Sequence, residues 1–109
     1  MIDEQIFRKL AEEALDQLRR ALENAGDTYG FEVDSNQGAL TVEFDDPPAR
    51  FVVSPNAPVR QIWVSARVKS FKLDWDEVRS AFVLAADHRD LNQLMSDVVG
   101  EQLGETVTL

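Results

Sequence analysis

Oxygen is the ligand atom this chain has in quantity. It carries 20 Asp and Glu against 11 Lys and Arg, with one His and no Cys, for a formal charge of −9 over 109 residues. The lack of cysteine excludes disulfides, thiolate metal sites and a thiol nucleophile. Carboxylates without His or Cys suit hard cations, held weakly and exchangeably. The single imidazole, His88, sits in Asp87-His88-Arg89-Asp90, just ahead of an apolar helical pattern. A lone His among charged neighbours there reads as a surface residue, not as a general base. No nucleophile–base pair is visible from spacing, and no glycine-rich phosphate loop is present. The expectation is a protein that is not an enzyme and uses no organic cofactor.

Partners are narrowed in the same way. So acidic a chain lacks the basic footprint that nucleic acid or an anionic membrane requires. No apolar run is long enough to span a bilayer, and Met1 to Leu10 has neither the basic start nor the apolar stretch of a secretory signal. This reads as a cytoplasmic, soluble single domain over residues 1–109. Its charge is uneven. Residues 1–48 carry 12 acids and 4 bases, residues 49–75 carry 1 acid and 5 bases, and residues 76–109 carry 7 acids and 2 bases. An acidic beginning and a mildly basic middle describe either a solvated surface or a docking surface with two signs.

The elements that must position these groups follow from periodicity. Ile6, Phe7, Leu10, Ala11, Ala14, Leu15, Leu18, Ala21, Leu22 and Ala25 recur at steps of three and four. That spacing predicts a helix from Asp3 to Ala25, stopped by Gly26. The period then becomes two. Phe31 and Val33, then Leu40, Val42 and Phe44, alternate with polar residues across a turn at Ser35 to Gly38, which predicts a hairpin. Further strands are predicted at Arg50–Val53, Gln61–Ala66, Ser70–Trp75 and Phe82–Ala85, with Pro55 to Pro58 as a loop. A closing helix over Asp90–Leu103 is capped by Asp87 or Asp90 and ended by Gly104. No helix separates the strands, so a parallel sheet is unfavourable. The predicted fold is α+β: a two-layer sandwich in which both helices pack on one face of an antiparallel sheet of about six strands, the other face being left to water.

One aromatic is placed oddly by this pattern. In Gln61-Ile62-Trp63-Val64-Ser65-Ala66 the residues Ile62, Val64 and Ala66 form the core-facing set, so Trp63 points to water with Gln61 and Ser65. A large exposed aromatic is a candidate binding anchor. Its expected neighbours on that face are Glu32, Asp34, Thr41, Glu43, Lys72 and Asp74. Trp75 shares parity with Phe71 and Leu73 and is expected in the core.

These residues carry a family likeness. Pro58-Val59-Arg60-Gln61-Ile62-Trp63-Val64-Ser65 resembles the P-x-x-Q-[IV]-W-[LV]-[SA] signature of frataxins and bacterial frataxin-like iron donor proteins. Gly38-Ala39-Leu40-Thr41-Val42, Phe71-Lys72-Leu73-Asp74-Trp75 and Asp90 to Met95 resemble flanking segments of that family, in order, over nearly the whole chain. The resemblance implies a non-enzymatic role in iron–sulfur cluster assembly, weak iron binding, and docking of a monomer on the cysteine desulfurase and its scaffold protein. It implies a partner surface at Gln61, Trp63, Arg60 and Lys72, with Arg67 and Lys69 adjoining. It also implies iron contacts from acids of the first helix and first strand: here Glu4, Glu12, Asp16, Glu23, Asp27, Glu32 and Asp34. One departure matters. Arg19-Arg20 stands where the family carries acids, and Asp16–Arg20 and Arg19–Glu23 are i,i+4 pairs. Either a weak cation site or an ion-paired, solvated helix face results. Two other classes compete: a small acidic chaperone that holds an extended client and dimerises, and a ferroxidase or iron store.

Overall fold

The computed structural model describes residues 2–109, so Met1 lies outside it. Helix α1 spans Glu4–Tyr29. The Asp3 carboxylate accepts from the Gln5 N–H at 2.6 Å, satisfying one orphan donor of the first turn. The helix runs four residues beyond the predicted stop at Ala25, and Gly30, at φ 83°, ends it instead. Gly26 is a glycine for a different reason. A Cβ there would lie 2.6 Å from the Phe31 carbonyl oxygen, where the chain folds back against the helix. The buried stripe is Phe7, Ala11, Leu15, Leu18, Leu22 and Gly26. Ile6, counted in the predicted stripe, is 54% exposed because Phe7 takes the core position in that turn.

Six strands follow: β1 Glu32–Asn36, β2 Ala39–Asp45, β3 Pro48–Asn56, β4 Gln61–Ala66, β5 Lys69–Asp76 and β6 Ala81–Leu84. They form one antiparallel meander in sequence order, β1 through β6. The hairpin turn is two residues, Gln37 and Gly38. β3 is longer than the predicted Arg50–Val53, and Pro55 belongs to it, paired with Ile62, not to a loop. The β2 ladder stops at Leu40↔Val53. Pro55 therefore has a neighbour on one side only, and its missing N–H leaves no ladder bond unmade. A short 3₁₀ turn, Ala57–Val59, links β3 to β4.

Helix α2 spans Leu91–Leu103. Of the two candidate caps, Asp90 is used: its carboxylate accepts from the Gln93 N–H and the Gln93 side chain accepts from the Asp90 N–H, a reciprocal box. Gly104, at φ 73°, closes the helix as predicted. Both helices cover the same sheet face. Phe7, Leu18 and Leu22 from α1, Leu94, Met95 and Val99 from α2, and Val42, Phe51, Ile62 and Leu73 from the strands make one buried core. Each such side chain contributes about 1.5–3 kcal/mol by leaving water. Trp75 packs half-buried at the core's rim, its ring 5.1 Å from Phe82.

Candidate functional site

The uncovered sheet face is polar apart from its centre. Trp63 emerges there, 37% exposed, as strand alternation requires. Two neighbours hold it, and a third fixes one of them. Its indole N–H donates to Gln61 Oε1 at 2.9 Å, the Gln61 Nε2 donates to Asp74 Oδ1 at 3.1 Å, and Lys72 Nζ lies 4.9 Å from the ring centroid. Register explains the cross-strand contacts, with Trp63 opposite Lys72 and Gln61 opposite Asp74, while Gln61 and Trp63 share a face two residues apart on β4. The indole N–H is thus engaged internally, and the Lys72 ammonium lies over the ring. An exposed cation–π contact of this kind contributes about 0.5–1 kcal/mol.

The expected neighbourhood of Trp63 needs correction. Lys72 and Asp74 are present, but Glu32, Asp34, Thr41 and Glu43 lie on β1 and β2, with β3 between them and β4. At about 4.8 Å per strand they are roughly 10–14 Å away. The residue opposite Trp63 on its other side is Ser54, and Val52 is the next outward residue of β3. Ser54 was missed because β3 was read too short, and Val52, inside the predicted strand, because strand order was not read from the sequence. The alternation of Arg50 and Val52 with Phe51 and Val53 was the available signal.

Arg60 is turned away to other work. It sits at φ 54°, and its Nη1 donates to the Ala57 and Pro58 carbonyls, each at 3.0 Å. Its Nε donates to the Ile2 carbonyl at 3.3 Å, and Glu4 Oε1 lies 3.9 Å from Nη1. The guanidinium ties the chain ahead of α1 to the turn that starts the Trp63 strand. Arg67 and Lys69 lie at the β4–β5 turn, where Arg67 donates to the Glu101 carbonyl at 3.3 Å.

The acids of α1 and β1 fall into separate groups. Glu4 pairs with Arg8 at 3.4 Å. Glu4 and Glu23 are separated by roughly 28 Å at the helical rise, so one cation cannot bridge them. Asp16 is held by Arg19 at 2.7 Å and Arg20 at 2.9 Å, and Arg19 also reaches Glu23 at 2.7 Å. The hydrogen bond from Arg19, aided by the Arg20 charge, keeps the Asp16 carboxyl below the usual Asp range. Both i,i+4 pairs expected from spacing are present, and Arg19 joins them through an added i,i+3 contact. Glu23, Asp27, Glu32 and Asp34 line one shallow depression of about 420 Å³ between the end of α1 and β1, together with Phe31 and Val33. Glu12 and Asp16 line the neighbouring depression. Among the described residues, no three His, Asp or Glu side chains form a tight ligand set. Dispersed, exposed oxygens of this kind fit a passing hard cation rather than a resident one.

His88 is exposed, with its N–H donating to the Leu84 carbonyl and its own carbonyl accepting from Arg79. Next to it Arg89 pairs with Asp87 at 3.0 Å and Asp97 at 2.9 Å. Among the described residues, no helix is long and apolar enough to cross a membrane.

Known proteins resemble this arrangement along its length. Residues 1–105 match the family described as Frataxin-like domain. An iron–sulfur cluster assembly protein, CyaY, of Dechloromonas aromatica is 31% identical over 108 residues, covering 99% of each chain. CyaY of Azotobacter vinelandii is 30% identical over 95 residues, covering 85% of this chain and 86% of its own. Frataxin from Psychromonas ingrahamii has a solved structure that superposes with a TM-score of 0.76 at 21% identity, over 98% of this chain and 97% of that one.

Proposed function

Because this chain belongs to the frataxin-like family, we propose that it is a non-enzymatic cytoplasmic participant in iron–sulfur cluster assembly, the process named for its CyaY relatives. It acts as a monomer that docks on the cysteine desulfurase and its scaffold protein. The observation that carries the docking reading is Trp63. A large aromatic held outward on a polar face by Gln61 and Lys72 is a preformed contact and loses little conformational freedom on binding. The acidic border of α1 and β1 adds a second contact, drawn to a basic patch on the partner complex by complementary charge.

Iron is cargo or modulator in this reading. Glu23, Asp27, Glu32 and Asp34 surround one depression and would hold a hard cation weakly. Glu12 lies on the neighbouring depression, while Glu4 and Asp16 are engaged by arginines. A ferroxidase centre would need a tighter set of unpaired carboxylates than this border offers.

The test is binding to the desulfurase–scaffold complex, wild type beside Trp63→Ala, at low and high salt. Binding that weakens with salt and falls in the variant supports the reading. No binding by folded wild-type protein, with or without Fe(II), overturns it.

A further inference from the structure

The acidic border also contains an open sheet edge. β1 is the terminal strand of the sheet. The opposite terminal strand, β6, is closed by its own chain: the Leu84 N–H donates to the Arg89 carbonyl at 2.9 Å, and Val83 bridges to Asp90. The β1–β2 turn places Gln37 at φ 53° and Gly38 at φ 82°, the type I′ pattern. Asn36↔Ala39 is then the hydrogen-bonded closing pair. Alternation makes Asp34↔Thr41 and Glu32↔Glu43 hydrogen-bonded pairs as well. The N–H and C=O groups of Val33 and Ser35 consequently point outward from the sheet.

The side chains along this edge select the occupant. Glu32 and Asp34 lie on the same face two residues apart, and Glu23 and Asp27 of α1 line the adjoining depression. None of Asp27, Glu32 and Asp34 has an ion-pair partner among the described residues. A second copy of this chain would set Glu32 and Asp34 against like charges. An extended segment with basic residues at alternate positions presents them at the same two-residue period.

We propose that the β1 edge receives an extended, Lys/Arg-rich protein segment as an added strand. Its main chain pairs with the Val33 and Ser35 backbone, and its basic side chains lie along Glu32 and Asp34. The proposal rests on the docking reading above and specifies how the acidic border makes its contact. Main-chain bonds supply affinity, and alternate charges supply selectivity.

A short synthetic peptide alternating Lys and Val serves as the probe, read by NMR and amide exchange on the labelled protein. The expected result is slowed exchange at the Val33 and Ser35 amides. A peptide of equal charge, N-methylated at alternate backbone nitrogens, is expected to bind about tenfold or more weakly, since it loses strand hydrogen bonds and keeps its charges. Ser35→Pro, a change tolerated on an edge, should weaken the parent peptide in the same way. Equal binding of the methylated peptide, protection mapping elsewhere, or no binding overturns the proposal, whether or not Ser35→Pro folds. Docking of the wild type on the desulfurase–scaffold complex with Val33 and Ser35 still exchanging freely also overturns it, and leaves the docking reading intact. Peptide pairing without docking on that complex overturns the docking reading alone.

Discussion

The Trp63 indole N–H is bonded to Gln61 Oε1 at 2.9 Å, two residues back on the same strand and the same face. Gln61 is in turn fixed by Asp74 across the β4–β5 pair. The aromatic is therefore oriented before any partner arrives. Trp63→Ala should reduce affinity for the desulfurase–scaffold complex about 30-fold or more, the scale of an interface anchor. Gln61→Ala should weaken it less, since the ring remains but its orientation is lost. Trp63→Ala also loses the Gln61 hydrogen bond and the Lys72 contact, about 1–2 kcal/mol together, so its thermal midpoint should fall by several degrees while the fold is kept, and Gln61→Ala should lower it less. Calorimetric titration beside a melting curve separates the two effects.

Gly26 sets helix propensity against packing. Ala is favoured over Gly in a helix interior by about 1 kcal/mol. A methyl group at residue 26, however, would sit 2.6 Å from a backbone oxygen, that of Phe31. Backbone cannot swing aside as a flexible side chain does, and overpacking of this sort typically costs about 1–3 kcal/mol. Packing wins, so Gly26→Ala should lower the urea midpoint at unchanged slope. A stabilised Gly26→Ala variant would show that the α1-to-β1 crossing is looser than described.

Asp16 should titrate low. Its folded-state pKa is depressed, first by the Arg19 hydrogen bond and then by the Arg20 charge. A depressed carboxylate contributes stability that is present above its unfolded pKa and lost as pH falls through the folded one. The loss therefore falls in the acid range, below the ordinary Asp midpoint. Carboxyl carbon NMR should place the Asp16 midpoint below the ordinary Asp range, and Arg19→Gln should move it upward. An unmoved midpoint in Arg19→Gln would remove the assigned cause.

Arg19 also bears on cation binding, because it neutralises Asp16 and Glu23 together. Removing one positive charge near a weak divalent site changes affinity by about 1 kcal/mol in a water-exposed setting, or roughly fivefold. Arg19→Gln should tighten Fe(II) or Mn(II) binding by that factor. The paramagnetic broadening should centre on Glu23, Asp27, Glu32 and Asp34. Broadening centred on Glu4 would relocate the site to the other end of α1.

Much of this could be read from residue order, and the limits are equally specific. β4 matched its prediction at both ends, and α2 began one residue later, after Asp90. Both lie in strongly periodic stretches bounded by a cap, a turn or a glycine. The errors fell where a residue has two possible reasons to be there. Gly26 looked like a terminator and proved to be a close-approach glycine, while Gly30 took the terminating role. Pro55 looked like a strand breaker and proved harmless where β3 outruns β2.

The sequence by itself determined which way Trp63 points, because a strand's side chains alternate whatever surrounds it. It also determined the i,i+4 pairing of Asp16 and Arg20, since helical spacing is equally local. Tertiary structure alone decided that Ser54, not an acid of β1 or β2, stands on the far side of Trp63. It alone turned the Arg60 guanidinium onto the Ile2, Ala57 and Pro58 carbonyls and left β1 as the open edge while β6 was closed. The physical reason is range. Periodicity and capping act over a few residues, whereas strand order, register and edge coverage depend on contacts between segments far apart in the chain.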